Sequence, residues 1–170
     1  MHALHRILVK LEDPNTDPEK IKKFAEIETE EYQDEVYDWR ETETAGRWTD
    51  IYPYNVIKGK DTPNKMMEDL ISLKTKRDIE IQYRLNKLKE EVHSLNLDDI
   101  LKKHSSGDNN TKYGLAYNLQ SIANFLGGYY TFDSMFYNTH TCDSIIDGQL
   151  IEEIKANPEE YAVVLFDYHI

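Results

Sequence analysis

Basic residues are scarce in this chain. Twenty Lys and Arg stand against thirty-two Asp and Glu, a formal charge of −12 over 170 residues. A protein that grips nucleic-acid phosphates wants a basic face, so direct nucleic-acid binding is not expected. Cysteine is scarcer still. Cys142 stands alone, which excludes an internal disulfide and a Cys-based metal cluster. Long apolar runs are missing too. Nothing approaches the roughly 18 consecutive apolar residues that a membrane-spanning helix needs. The opening MHALHRILVKLEDP has a short apolar stretch broken by charge and no small-residue cleavage site, so it does not read as a signal peptide. A cytoplasmic protein is the expectation.

Diagnostic chemistry is absent as well. There is no CxxC, Walker, GxSxG or HExxH pattern, and no cofactor or metal site is expected. Gly127-Gly128 ends a helical pattern rather than opening one, and no Lys-Ser/Thr follows it. Cys142 has His140 two residues before it, but that spacing alone does not make a nucleophile.

What the chain does have is aromatic surface. Twelve Tyr, five Phe and two Trp give a core enough to bury, which argues against disorder. The length fits one domain. HALHRILVKL alternates near the start and predicts a half-buried strand. Asp17-Pro18 is a helix start, and Ile21, Phe24, Ala25, Tyr32 and Val36 predict a helix from about 18 to 36 or 39. Asp61-Thr62-Pro63 opens a second one. Met66, Leu70, Leu73, Ile81, Leu85, Leu88, Val92 and Leu95 predict a long helix over about 63–95. At 1.5 Å per residue it is roughly 45–50 Å long, so it either projects or receives a second copy of the chain. A short helix at 97–103, a loop at 105–110, a helix at 115–126, an aromatic strand at 129–137 and a short helix at 149–155 follow. YAVVLFDYHI, residues 161–170, is the strongest strand signal. It is apolar on both faces, as in the middle of a sheet. The sum is a single α+β domain over residues 1–170. About four strands, the two terminal segments among them, make an antiparallel or mixed sheet packed with helices.

Three clusters of residues carry candidate chemistry. Asp167 and His169 are two apart on the last strand and share a face, as a base and its orienter would. They are the catalytic candidates, though they can equally bond each other or nearby backbone groups. Trp39, Arg40, Arg47 and Trp48 are the ligand-binding candidates. Arginine beside tryptophan can stack, and it forks onto carboxylate or phosphate. Alternatively the rings plug the gap between the first helix and the sheet, and the arginines pair with Glu41, Glu43 or Asp50. Between Glu26 and Asp38 run seven carboxylates without one Lys or Arg. Of these Glu30, Glu31, Asp34 and Glu35 are the partner-binding candidates. Such a run is either a solvated helix face or an acidic surface that docks on a basic groove.

YDWRETETAGRW (37–48) resembles the Asp-Trp…Gly-Gly-Arg-Trp segment of an uncharacterised family of small phage and bacterial proteins. VVLFDYHI (163–170) resembles their Val-Val-Asp-x-His-Ile ending, and TFDSMFYN (131–138) their aromatic middle strand. The pattern departs at Ala45, where those proteins carry the first Gly. The resemblance covers about a fifth of the chain and implies a phage or mobile-element origin. It also implies that Asp38, Trp39, Arg47, Trp48, Asp167 and His169 lie together in space.

The expected function is a non-enzymatic acidic binding protein. Its partner would be a host protein with a basic surface, one that handles nucleic acid or serves defence, with inhibition as the outcome. No membrane partner is expected, and the long helix offers a homodimer interface. The rival is a protein that binds or hydrolyses a nucleotide-like or anionic small molecule, using the Trp/Arg segment and Asp167/His169.

Overall fold

The computed structural model describes residues 1–93, 96, 98, 102, 119, 120, 122, 123 and 135–170. Its contacts group into two compact units, Met1–Lys74 with Tyr130–Ile170, and Thr75–Tyr129. The architecture is α+β, with a mixed five-stranded sheet in the first unit.

Two nine-residue strands form the centre of that sheet. β1 (His2–Lys10) and β5 (Tyr161–His169) pair antiparallel along their whole length, from His2↔His169 to Lys10↔Tyr161. β4 (Phe136–Asn138) lies parallel to β1 on its far side. β2 (Trp39–Glu41) and β3 (Val56–Lys58) share the other edge of β5 end to end. β2 pairs with residues 167–169 and β3 with residues 162–164.

Side-chain alternation sorts the core onto the two faces of the sheet. Ile7, Val9, Val164, Phe166 and Tyr168 meet Ile21 and Ala25 of α1 (Pro18–Glu28). Leu4, Leu8, Val163 and Leu165 meet Met66, Leu70 and Leu73 of α2 (Pro63–His93) and Ile151 and Ile154 of α3 (Gly148–Ala156). β1 is therefore covered on both faces, not half-exposed as its sequence predicts. Its polar residues are matched under cover. Arg6 forks onto Asp69 of α2 at 2.6 and 2.8 Å, and Tyr52 donates to the same carboxylate at 2.5 Å. Burial opposes the Arg6 charge, but Asp69 more than offsets this, and the guanidinium pKa lies above its ordinary value. His5 stacks on Tyr168, 4.2 Å between ring centres.

Local chemistry sets the helix ends. Asp17 accepts the Glu19 N–H at 2.9 Å and Pro18 holds the first turn of α1. α1 stops at Glu28, eight or more residues short of its predicted end. Glu26 and Glu28 crowd a helix C-terminus with no cation in its last turn, which the helix dipole disfavours. Thr29 then closes the helix by bonding back to the Ala25 carbonyl at 2.7 Å. The seven-carboxylate run is thus not a helix face. It continues through a 3-10 turn at Glu30–Tyr32 into a loop. α2 runs 31 residues with a buried first half on the sheet, close to the predicted 63–95. Residues 94 and 95 lie outside the described residues, as do most of 97–103 and all of 105–110 and 129–134. Of the predicted helix at 115–126, Leu119, Gln120, Ile122 and Ala123 are described and helical.

Candidate functional site

The segment DWRETETAGRW leaves the sheet and folds back over it. β2 ends at Glu41 and β3 begins at Val56, with both strands on β5. The chain between them is closed at its neck by the Asn55 side-chain amide, which donates to the Thr42 carbonyl at 2.7 Å. Its middle is a 3-10 turn, Gly46–Trp48. Ala45 is buried, and Trp48 and Tyr52 pack against the core on the side of α2 and α3. Trp48 is a plug, then, but on the face opposite α1 rather than against it.

This turn sits on Asp167. The Arg47 backbone N–H donates to Asp167 Oδ2 at 3.1 Å. A Cβ built on Gly46 would lie 2.3 Å from the Asp167 Cβ, and Gly46 has φ +54°. Only glycine suits a backbone both this close and left-handed. Asp167 is 2% exposed, and its other oxygen contacts His2 Nδ1 at 2.9 Å. His169 does not pair with Asp167, two residues before it on the same strand. Its Nδ1 contacts Asp38 Oδ1 at 2.6 Å, and the His2 and His169 rings meet edge to face, 5.0 Å between centres. The hydrogen bond from His169 holds the Asp38 carboxyl below its ordinary pKa. Trp39 is paired with His169 and is 54% exposed.

Asp38, Trp39, the Arg47 backbone, Asp167 and His169 therefore come together at one end of the sheet. Arg40 does not join them. It points to the α1 face, donates to Thr29 Oγ1 at 2.7 Å and the Glu26 carbonyl at 3.0 Å, and lies over the Tyr37 and Phe166 rings. The Arg47 side chain is exposed. Neither arginine pairs with Glu41, Glu43 or Asp50 as the sequence allows. Glu41 accepts the N–H groups of Glu43 and Thr44, while Glu43 binds Lys22 at 2.7 Å. His2 is the member that sequence reasoning missed. Its signal is a register of pairing, residue 2 against residue 169, which alternation within one strand does not carry.

The acidic candidates lie next door. Glu30, Glu31, Asp34 and Glu35 are all exposed on the loop between α1 and β2. Two buried tyrosines pin this loop from beneath. The Tyr32 hydroxyl donates to the Tyr137 hydroxyl at 2.6 Å, and Tyr37 donates to the Thr29 carbonyl at 3.1 Å. Asp34, at φ +71°, donates its N–H to the Tyr37 carbonyl at 2.7 Å. Among the described residues, none of these four carboxylates makes an ion pair.

Among the described residues no three His, Cys, Asp or Glu side chains are placed to hold a metal ion, and no helix is long and apolar enough to cross a membrane. No known protein family, no curated protein and no solved structure matches this chain.

Proposed function

We propose that this protein works by binding, through the acidic loop between α1 and β2, to a basic surface on a protein partner. One observation carries the reading: Glu30, Glu31, Asp34 and Glu35 are presented to solvent, without an ion pair among the described residues, on a loop fixed by Tyr32 and Tyr37. A surface of fixed like charges raises the encounter rate with an oppositely charged partner, and a pre-ordered loop loses little entropy on docking. Basic surfaces of this kind belong to proteins that handle nucleic acid. Competition with nucleic acid for such a surface, in a host or defence protein, is the role that fits a phage or mobile-element origin. Reversing Glu30, Glu31, Asp34 and Glu35 to Lys tests it. Pull-down from a host lysate should lose its basic partner, and an unchanged capture would end this reading.

The small-molecule reading is less well supported. Asp167 is engaged by His2 and the Arg47 N–H, and Arg40 by Thr29 and Glu26. Asp38, Glu41 and Asp167 also lie at this end of the sheet, and their charge opposes an anionic ligand there. Self-association is a separate proposal. The second half of α2 carries Ile81, Leu85, Leu88 and Val92 along one face, none of them buried, and two copies of the chain would pair along that row.

A further inference from the structure

Trp39 is exposed, yet its backbone is locked into the sheet beside His169. His169 is paired in turn with His2. Directly opposed residues in antiparallel strands present their side chains on one face. Trp39, His169 and His2 therefore form a row of rings across β2, β5 and β1. Two carboxylates stand beside this row. The Asp38 side chain is 65% exposed, and the hydrogen bond from His169 gives its carboxylate a fixed direction. Glu41, two residues along β2 from Trp39, falls on the same face. Among the described residues no Lys or Arg pairs with Asp38 or Glu41.

An indole with a fixed carboxylate beside it selects a planar, delocalised cation. A guanidinium stacks on the ring and forks onto the carboxylate. An ammonium is a compact, strongly hydrated point charge and gains less from the ring. A nucleotide could stack as well, but its phosphates would meet Asp38, Glu41 and the carboxylates of the neighbouring loop. We propose that Trp39 and Asp38 are the anchor for an arginine side chain of a protein partner. This rests on the acidic-loop reading and adds to it which basic residue the partner presents and where that residue lands.

Titration of the full chain with hexa-arginine and hexa-lysine peptides, followed by calorimetry, tests the assignment. The arginine peptide should bind about fivefold more tightly than the lysine peptide. Trp39→Ala should erase that preference, Trp39→Phe should keep part of it, and Asp38→Asn should weaken the arginine peptide more than the lysine one. Equal binding of the two peptides overturns the proposal. So does a Trp39→Ala protein that keeps the preference, or a nucleoside monophosphate that binds more tightly than either peptide. Because Trp39 is exposed, its variants should melt with the parent protein. The lysine reversal of Glu30, Glu31, Asp34 and Glu35 separates the two readings. If it spares peptide binding while Trp39→Ala abolishes the preference, the acidic loop is not the docking surface and the arginine anchor stands.

Discussion

His2 and His169 meet edge to face across the two long strands, and each rests its Nδ1 on a different carboxylate. His2 uses the buried Asp167, and His169 uses the exposed Asp38. The start of β1 and the end of β5 are thus tied to each other and, through Asp167 and Arg47, to the turn that folds over them.

Asp167→Ala removes the acceptor for the Arg47 N–H and the partner of His2 in one step. Leaving buried polar groups unpaired costs about 2–4 kcal/mol, read as a lower midpoint in urea denaturation. Asp167→Asn keeps an acceptor of the same shape and should cost less. Asp167→Ala should not alter partner binding by the folded protein, since the acidic loop is untouched, whereas His169→Ala releases the Asp38 carboxylate and should weaken it.

Gly46→Ala places a methyl group against Asp167 at a backbone conformation that L side chains rarely adopt. The strain and the clash together should cost about 2–3 kcal/mol. Thermal melts should show this, and faster amide exchange at Arg47 should accompany it.

Arg6 and Asp69 make a buried pair that joins β1 to α2. Asp69→Ala strands the guanidinium and should cost about 3–5 kcal/mol. The double variant Arg6→Met with Asp69→Leu should recover most of that, because neither charge then remains to be solvated. A double-mutant cycle in urea measures the difference, and strict additivity of the two single changes would contradict the pairing.

The buried tyrosines set an alkaline limit. Burial raises the pKa of Tyr32, Tyr37, Tyr52, Tyr137 and Tyr161, and pushes Tyr168 up to about 12. In the unfolded chain these hydroxyls ionise near pH 10. Their contribution is whole below about pH 10 and is lost as the pH rises towards about 12, because only the unfolded chain can shed the protons. Tyr168 alone accounts for about 3 kcal/mol across that window. Tyrosinate absorbance should rise cooperatively with the loss of circular dichroism, rather than titrate ahead of it.

Leu85→Glu and Leu88→Glu test self-association through α2. A protein that pairs along this helix should fall from twice the chain mass to the chain mass in light scattering, with its helix content kept. An unchanged mass in both variants rules the interface out.

The sequence made some of this legible and left the rest hidden, for physical reasons. The doubly apolar run of β5 announces a central strand, because its alternation leaves no face for water. The period of Met66, Leu70 and Leu73 announces the face that α2 lays on the sheet. The end of α1 was not legible. Its closing groups come from Thr29, whose hydroxyl bonds backward, and from Arg40, which arrives on β2 from outside the helix. β1 read as half-exposed because Arg6 and His5 look like surface residues until Asp69 and Tyr168 are placed over them. The site was half legible. Strand spacing put Asp167 and His169 on one face, but alternation says nothing about which strand lies alongside. His2, drawn in by pairing with β5, therefore escaped it, while Asp38 was reached through the resemblance and not through alternation.

That shared dependence on β5 has a consequence for how the chain reaches its native state. β1, β2 and β3 share no ladder with one another, and each joins the sheet through β5. Until residues 161–169 exist, Ile7, Leu8 and Val9 have no neighbour on that side. At ordinary rates of synthesis this lasts on the order of ten seconds. β2 and β3 therefore wait without a sheet partner for this one late segment, and β1 has only β4 beside it until the segment arrives.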